Sequence, residues 1–242
     1  MTVFLSIIIP AHNEENRLAD TLTQLVNFTN AQNYSSEIVV VENASVDRTL
    51  DIARDFAIDH PGIHVLHDDR PGKGLAVKTG MLAAKGEYRF ICDADLSMPV
   101  QEITRFLPPS LVGVDIAIAS REAPGAVRYN EPAMRHFVGR VFNTLVRLII
   151  VRGLQDTQCG FKCFTQKAAE TLFPLQIVTG WTFDVEILAI AQRMGLKIVE
   201  VPIPWYHFGS SKVRVLKDSV KMALDLILIR VSMNKRKIKP LK

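Results

Sequence analysis

The feature that most constrains the fold is a regular alternation of short apolar runs with segments that carry apolar residues at helical spacing. The apolar runs predict strands at residues 3–10, 37–41, 63–66, 88–92 and 115–119. The segments between them predict helices at residues 16–28, 47–58 and 74–84. Continuous apolar strands separated by helices are typical of a mostly parallel sheet that is covered on both faces. We therefore expect an open α/β fold, in which ligands bind beyond the carboxyl ends of the strands.

The composition allows one substantial domain with appendages. The chain has 242 residues, of which 48% are hydrophobic, and a formal net charge of +4. A basic excess at the end of the sequence suits an anionic surface, either lipid headgroups or nucleic acid, or merely keeps the tail in solution; it comprises Lys235, Arg236, Lys237, Lys239 and Lys242. The three cysteines are not an even disulfide set, and residues 2–10 are too short for a signal peptide, so we expect a reduced, cytoplasmic protein.

Polar, mostly acidic segments follow four of the predicted strands. They are Pro10-Ala11-His12-Asn13-Glu14-Glu15, Glu42-Asn43-Ala44-Ser45-Val46-Asp47, Asp68-Asp69-Arg70 with Gly72-Lys73-Gly74, and Asp93-Ala94-Asp95. Each can cap a helix, and Asp47 is well placed to do so. Four such loops on one edge of a sheet are harder to explain by capping. Acidic groups beside Lys73 instead favour a nucleotide, whose ribose hydroxyls pair with carboxylates and whose phosphates need a cation.

Asp93 and Asp95 follow an apolar strand with one alanine between them. If the strand continued through them, both carboxylates would point to the same side, because side chains alternate with period two. A solvated turn explains such a pair without any ligand. The alternative is Mg²⁺ or Mn²⁺, which is often held by one or two carboxylates together with the phosphates of a substrate.

Other nucleotide-binding patterns are missing from the expected places. A dinucleotide site would place Gly-x-Gly-x-x-Gly directly after the first strand, and a P-loop would read Gly-x-x-x-x-Gly-Lys-Ser/Thr. The first strand is followed instead by Pro-Ala-His-Asn-Glu-Glu, and Gly72-Lys73-Gly74 is too short for either motif. A sugar nucleotidyltransferase should also open with a glycine-rich loop, which disfavours that class.

Six ordered blocks carry a resemblance to a known family. They are "SIIIPAHNEE", "VVVENASVDRT", "GKGLAVKTGM", "ICDADLSMP", "DTQCGFKCF" and "WTFDVEIL". The chain resembles the inverting family 2 glycosyltransferases of GT-A fold, from Ser6 to about Val213. Within that family it is most similar to the polyprenyl-phosphate glycosyltransferases, and among these to the dolichyl-phosphate β-glucosyltransferases. It departs from them at Glu42-Asn43, where the family often has paired aspartates.

The resemblance implies transfer of a hexose from a nucleotide sugar to a polyprenyl phosphate with inversion. Glucose from UDP-glucose is the first choice and mannose from GDP-mannose the second, and no nucleic acid partner is expected. Asp95 would ligate Mg²⁺ or Mn²⁺, and Asp93 would ligate it too or hold the ribose and donor sugar. The implied donor-binding residues are Pro10, Ala11, Asn13, Glu14, Glu42, Asn43, Lys73, Asp93, Asp95 and Trp181.

The resemblance also implies residues for the acceptor. Asp156 matches the third acidic position of the family and would act in catalysis with Asp95, either orienting or activating the acceptor; its alternative is a turn residue. Cations must hold the acceptor phosphate. The candidates are Arg121, Arg128, Arg135, Lys212 and Arg214, of which Arg121 and Lys212 match family blocks.

A lipid acceptor requires a site that reaches a bilayer. The segment at residues 132–151 predicts an amphipathic helix within a catalytic domain at residues 1–214, and residues 215–242 predict a second amphipathic helix and a basic tail. Neither segment has the ~20 consecutive apolar residues of a spanning helix. We expect both to lie on the cytoplasmic surface of a membrane as a peripheral attachment. The alternatives are core or homo-oligomer packing, or a membrane-binding module without activity.

Overall fold

The computed structural model describes residues 2–208, 215–236 and 238–240, and the side chains of residues 215–220 are not part of that description. Two predicted acceptor-binding residues, Lys212 and Arg214, lie outside the described residues. The strands are β1 (Leu5–Ala11), β2 (Ser36–Asn43), β3 (Ile63–Asp68), β4 (Tyr88–Ile91), β5 (Ile116–Ser120), β6 (Val127–Tyr129), β7 (Lys162–Thr165), β8 (Ile198–Pro202) and β9 (Pro204–Tyr206). The α-helices are α1 (Leu18–Asn30), α2 (Thr49–Asp59), α3 (Lys73–Ala83), α4 (Ala133–Ile149), α5 (Gln166–Leu172), α6 (Phe183–Met194) and α7 (Val215–Lys235), and short 3₁₀ helices occupy Val100–Phe106 and Phe173–Leu175.

A seven-stranded sheet in the order β3-β2-β1-β4-β7-β5-β8 forms the centre of the molecule. The first four strands are parallel, as predicted, so the loops that follow them meet at one edge. β7 runs antiparallel between β4 and β5, and β5 pairs with β8 in parallel. The mostly parallel open sheet with helices on both faces is therefore confirmed, and β7, β5 and β8 extend it beyond β4.

The strand β1 illustrates why the sheet lies inside. Its consecutive residues Ile7, Ile8 and Ile9 are all fully buried. Successive side chains on a strand point to opposite faces, so an uninterrupted apolar run requires a cover on each side. Ile7 and Ile9 belong to the core beneath α1 and α2, whereas Ile8 belongs to the core beneath α3, α5 and α6.

Two helices, α4 and the described part of α7, bury few of their side chains. α4 has one buried residue, Val146, in 17 residues. The side chains that α7 buries in the core include Leu226 and Ile229. No helix within the described residues has both the length and the apolar character that crossing a membrane requires. Both segments predicted to be amphipathic are thus helical and peripheral to the core.

Candidate active site

The Asp-Ala-Asp segment lies just beyond β4, at the edge where the parallel strands end. β4 ends at Ile91, so Asp93 and Asp95 are in the turn that follows and not in the strand itself. Strand alternation therefore does not apply to the two carboxylates. The turn sets their directions instead: Asp95 Oδ1 accepts the backbone N–H of Ser97 at 3.0 Å, and Leu96 has a left-handed φ of 44°.

Asp93 forms an ion pair with Lys73, the first residue of α3. The Lys73 ammonium lies 2.6 Å from Asp93 Oδ1 and donates to Oδ2 at 2.8 Å. Burial by itself would lower the pKa of Lys73, but attraction to Asp93 outweighs it and the pKa is raised. Gly160 packs so closely on this carboxylate that a Cβ at that position would lie 1.8 Å from Asp93 Oδ2. Gly160 is therefore a part of the site that the sequence pattern did not reveal.

Glycine at positions 72 and 74 lets a second loop pack directly on the start of α3. Gly72 has a φ of 144°, and a Cβ there would meet the Thr179 carbonyl oxygen at 2.5 Å. A Cβ on Gly74 would lie 2.6 Å from the Cβ of Phe183. The loop that packs here, residues 176–182, brings the ring of Trp181 to 5.6 Å from the Lys73 ammonium. Trp181 and Lys73, both predicted to bind the donor, are thus adjacent.

The predicted donor-binding residues after β1 and β2 hold the loops of the edge together. Asn13, at a left-handed φ of 53°, donates its backbone N–H to Ser45 and accepts that of Val46 on its side chain. Asn43 is buried, and its side-chain amide donates to the carbonyls of Arg70 and Gly72.

Glu42, also buried, accepts the Ser45 backbone N–H at 2.7 Å and contacts His67 Nδ1 at 2.5 Å. Hydrogen bonds from His67 to Glu42, and then to Asp69, raise the pKa of this exposed histidine. Pro10 and Ala11 close β1, and Glu14 forms an ion pair with Arg17 at 2.7 Å. These residues meet at the same edge as Asp93.

Asp156 and Arg121 form a second ion pair on the other side of the edge. Arg121 Nε donates to Asp156 Oδ2 at 2.7 Å and Nη2 donates to Oδ1 at 2.9 Å, so the contact is bidentate. The Asp156 carboxylate is fully buried and also accepts the backbone N–H groups of Arg121 and Gln158. Burial opposes its ionisation, but Arg121 dominates and lowers the pKa of Asp156 to about 2.

A second arginine, Arg128, lies beside Arg121 at the ring of Trp205. The guanidinium groups of Arg121 and Arg128 lie 5.4 and 5.9 Å from the centre of that ring. Arg128 is paired with Glu122 at 2.6 Å and Glu131 at 2.5 Å.

Arg135 has only a loose contact with Glu131, at 3.9 Å. Burial and the neighbouring charge of Arg121 lower the pKa of Arg135. Asp95 is among the charges that act on Arg135, so the arginine cluster and the Asp-Ala-Asp turn are electrostatic neighbours. The three predicted cations of the described chain are thus brought together.

The strand β9 connects this cluster to the turn. Trp205 is buried at its centre, and the backbone N–H of the next residue, Tyr206, donates to the Ser97 carbonyl at 2.8 Å. Tyr206 also stacks on Tyr129 of β6 with ring centres 4.5 Å apart.

A buried ion pair beneath the site was not anticipated. Lys162 lies 3.3 Å from Asp184 and donates to the Cys159 carbonyl. Asp184 and Glu186, near the start of α6, are only 5% and 1% exposed. Glu186 is satisfied by the backbone N–H groups of Ile177 and Val178 and by Arg236. Burial raises the pKa of Asp184, although Lys162 and Lys73 oppose the shift. Their position within the block "WTFDVEIL" is the signal that marks them.

Comparisons with known proteins identify the family. The model of glycosyl transferase family 2 matches residues 6–173. A dolichyl-phosphate β-glucosyltransferase of Trichomonas vaginalis is 36% identical over 241 residues, which covers 95% of this chain and 71% of that protein. The dolichyl-phosphate β-glucosyltransferase of Saccharomyces cerevisiae is 32% identical over 255 residues, with 95% and 75% covered.

Among solved structures, glucosyl-3-phosphoglycerate synthase from Mycobacterium tuberculosis, in complex with Mn²⁺, UDP-glucose and phosphoglyceric acid, superposes with a TM-score of 0.65. The two proteins share 19% identity, and the match covers 95% of this chain and 79% of that one. This likeness concerns the fold, which is the GT-A fold predicted from the six blocks. The chain belongs to glycosyl transferase family 2 and is a glycosyltransferase.

Proposed function

We propose that this enzyme transfers glucose from UDP-glucose to dolichyl phosphate, or a similar polyprenyl phosphate, with inversion at the anomeric carbon. The proposal is supported by relatives that carry the name dolichyl-phosphate β-glucosyltransferase and match 95% of the chain. The structural observation that carries it is the cluster of Arg121, Arg128 and Arg135 beside the acidic turn at Asp95. A site of this kind brings an anionic acceptor close to a nucleotide diphosphate.

The donor binds, on this proposal, along the ends of β1, β2 and β4. Lys73 is paired with Asp93 of the turn and would move from Asp93 towards the diphosphate, while Trp181 covers the sugar side. The nucleoside would be bound by Asn13, Glu14, Glu42 and Asn43. Pro10 and Ala11, at the end of β1, would pack beneath it.

The residues of the turn fit a divalent cation. Within the described residues, no group of three or more His, Cys, Asp or Glu side chains is arranged to hold a metal. One or two carboxylates completed by substrate phosphates are a common arrangement for Mg²⁺, and the oxygen donors of Asp95 and Asp93 suit Mg²⁺ or Mn²⁺. Asp95 is the better ligand because Asp93 is already paired with Lys73. A bound cation would neutralise charge on the departing diphosphate.

The acceptor needs orientation more than activation. A phosphate monoester is already anionic at neutral pH, so its oxygen can attack the anomeric carbon as the bond to the diphosphate breaks, and no proton has to move. Asp156 has a lowered pKa and both of its oxygens bonded, which makes it a poor general base. We infer that Asp156 positions Arg121, whose guanidinium then holds the acceptor phosphate with Arg128 and Arg135.

A bilayer is the proposed location of the acceptor. α4 exposes large apolar side chains on one face, from Met134 and Phe137 to Leu148, and α7 does so through Leu224, Ile227, Leu228 and Val231. The two helices are tied together by Arg230, which donates to the Ile149 carbonyl at 3.1 Å. Exposed Arg140 and Arg147 on α4 add charges that suit anionic headgroups. We therefore propose a peripheral attachment to the membrane through these faces.

The test is a panel of UDP- and GDP-sugars with a short polyprenyl phosphate, with Mg²⁺ or Mn²⁺ and with chelator. We expect UDP to be released from UDP-glucose only when both the lipid and the cation are present. Use of GDP-mannose would retain the mechanism but reject glucose as the sugar. Release of pyrophosphate without lipid would point to a nucleotidyltransferase. If the folded protein bound lipid but turned over none of the donors, it would be interpreted as a membrane-binding module without activity.

A further inference from the structure

We propose that α7 couples contact with a lipid bilayer to the donor pocket, so that a bilayer lacking any acceptor raises the affinity for the nucleotide sugar. This inference rests on the proposed function and adds to it a mode of regulation. It is carried by polar contacts that join α7 to the loop at residues 176–182, which packs on the donor-binding start of α3.

The first step of the coupling is the exposed face of α7. Leu224, Ile227, Leu228 and Val231 recur at the spacing of one helical face and are 62%, 62%, 49% and 45% exposed. The opposite side of the helix packs in the core through Leu226 and Ile229. An apolar face of this size beside the exposed arginines of α4 matches the boundary between headgroups and acyl chains. We take the bilayer surface as its occupant.

The second step is the attachment of α7 to the loop. Thr182, which is fully buried, donates its hydroxyl to Asp225 Oδ2 at 2.5 Å. Gly180 lies directly beneath the side chains of Asp225 and Lys221. Near the end of α7, Arg236 donates to Glu186 at 3.2 Å. Glu186 in turn accepts two backbone N–H groups at the start of the loop, those of Ile177 at 2.9 Å and Val178 at 2.8 Å.

The third step is the contact between the loop and the donor side. The Thr179 carbonyl accepts the Leu75 N–H at 3.2 Å, and Gln176 donates to the Gly74 carbonyl at 2.8 Å. Trp181 lies against Lys73, which is paired with Asp93. Any displacement of α7 therefore changes the position of the residues that cover the donor. Coupling of this kind is reciprocal, so the donor must also raise the affinity for the bilayer.

The experiment measures the affinity for UDP-glucose calorimetrically, with and without vesicles of phosphatidylcholine and phosphatidylglycerol that contain no polyprenyl phosphate. The quantity compared is the ratio of the two affinities. We expect vesicles to raise the affinity at least about fivefold, the lower end of typical coupling between sites. Ile227→Asp should reduce the ratio to one by removing bilayer contact. Thr182→Val should reduce it to one while vesicle binding persists.

A matched control is Thr23→Val, because Thr23 donates to the Ala19 carbonyl within α1, far from α7 in the sequence. This variant should keep the ratio of the unsubstituted protein. The coupling would be overturned if vesicles bound but left the affinity for UDP-glucose unchanged. It would also be overturned if Thr182→Val kept the same affinity ratio as the unsubstituted protein. The coupling would also be overturned if vesicles did not bind and sedimentation showed a dimer. A second copy of the chain would then be the occupant of the α7 face. Transfer to a short polyprenyl phosphate without vesicles tests the proposed function separately.

Discussion

The two ion pairs at the edge of the sheet use the same kinds of charge but are held very differently. In the Lys73–Asp93 pair both side chains keep access to solvent, with 20% and 24% exposed. In the Arg121–Asp156 pair the carboxylate is 0% exposed and the guanidinium 18%. Lysine offers a point charge on a flexible stem, whereas the arginine fork binds a carboxylate in one plane.

The difference shows which half of the site can rearrange when substrates bind. Lys73 is held by the Asp93 carboxylate and the Trp181 ring, and would leave Asp93 to reach a phosphate. Arg121 has its inner face fixed by Asp156, which also accepts the Arg121 backbone N–H, so only the outer face is available to a ligand. We infer that the donor side adapts to its ligand and that the acceptor side is preorganised.

The largest effect is expected at the turn. Asp95→Asn removes the charge that would hold the cation, and we expect the rate of glucose transfer to fall about a hundred- to a thousandfold. Cation-dependent binding of UDP-glucose, measured by calorimetry, should be lost in parallel. Asp55→Asn, at an exposed position on α2, is the control and should behave as the unsubstituted protein. If UDP-glucose binding depended on the cation as strongly in Asp95→Asn as in the unsubstituted protein, Asp95 would not be the metal ligand.

The preorganised pair should contribute strongly to stability. Asp156→Asn leaves Arg121 without its counter-charge, and removal of one partner of a buried pair costs about 3–5 kcal/mol. Denaturant unfolding monitored by tryptophan fluorescence measures the change. A cost below about 1 kcal/mol, the value of an exposed pair, would contradict the assignment.

The pH dependence of stability sharpens the same comparison. The pKa of Asp156 is about 2 in the folded protein, below the value of about 3.9 in an unfolded chain. A depressed carboxyl pKa stabilises the fold above the unfolded value, and the contribution is lost as the pH falls towards 2. The difference in unfolding free energy between the unsubstituted protein and Asp156→Asn should therefore be constant above about pH 5 and narrow below pH 4. A difference that stays constant down to pH 2 would contradict the lowered pKa of Asp156.

Two glycine substitutions separate close packing from mere backbone freedom. Gly160→Ala introduces a Cβ within 1.8 Å of Asp93 Oδ2, so Asp93 has to move, and donor affinity should fall about tenfold or more. Gly139→Ala is the matched control, because it lies within α4 with nothing within 4 Å of its Cβ position. It should instead stabilise the fold by about 0.5–1 kcal/mol. Unchanged donor affinity in Gly160→Ala would show that Asp93 is not held as described.

The smallest effect on stability is expected on α4. Phe137→Ser changes a side chain that is 65% exposed, so the unfolding free energy should move by less than about 0.5 kcal/mol. Flotation with anionic vesicles should nevertheless weaken. Ile58→Ser, at a 79% exposed position on α2, is the control and should leave flotation unchanged. Equal flotation of both variants would show that α4 is not part of the membrane-binding surface.

Much of this architecture followed from local patterns. Apolar runs such as Ile7-Ile8-Ile9 predicted buried parallel strands, because only a sheet covered on both faces hides such a run. The six family blocks predicted the fold, the family and the residues that gather at the edge, and the comparisons confirm the first two. The roles of individual residues remain predictions, among them the metal ligation by Asp95 and the acceptor binding by Arg135.

What the sequence determined by itself is therefore the periodicity of its strands and helices and the identity of the charged residues between them. Only the tertiary structure decided which charged and polar side chains pair. Asp156 lies 35 positions from Arg121, Lys162 lies 22 from Asp184, and Thr182 lies 43 from Asp225. No local pattern encodes contacts at such separations, because they arise when packed elements bring distant side chains together and exclude the water that would otherwise screen them.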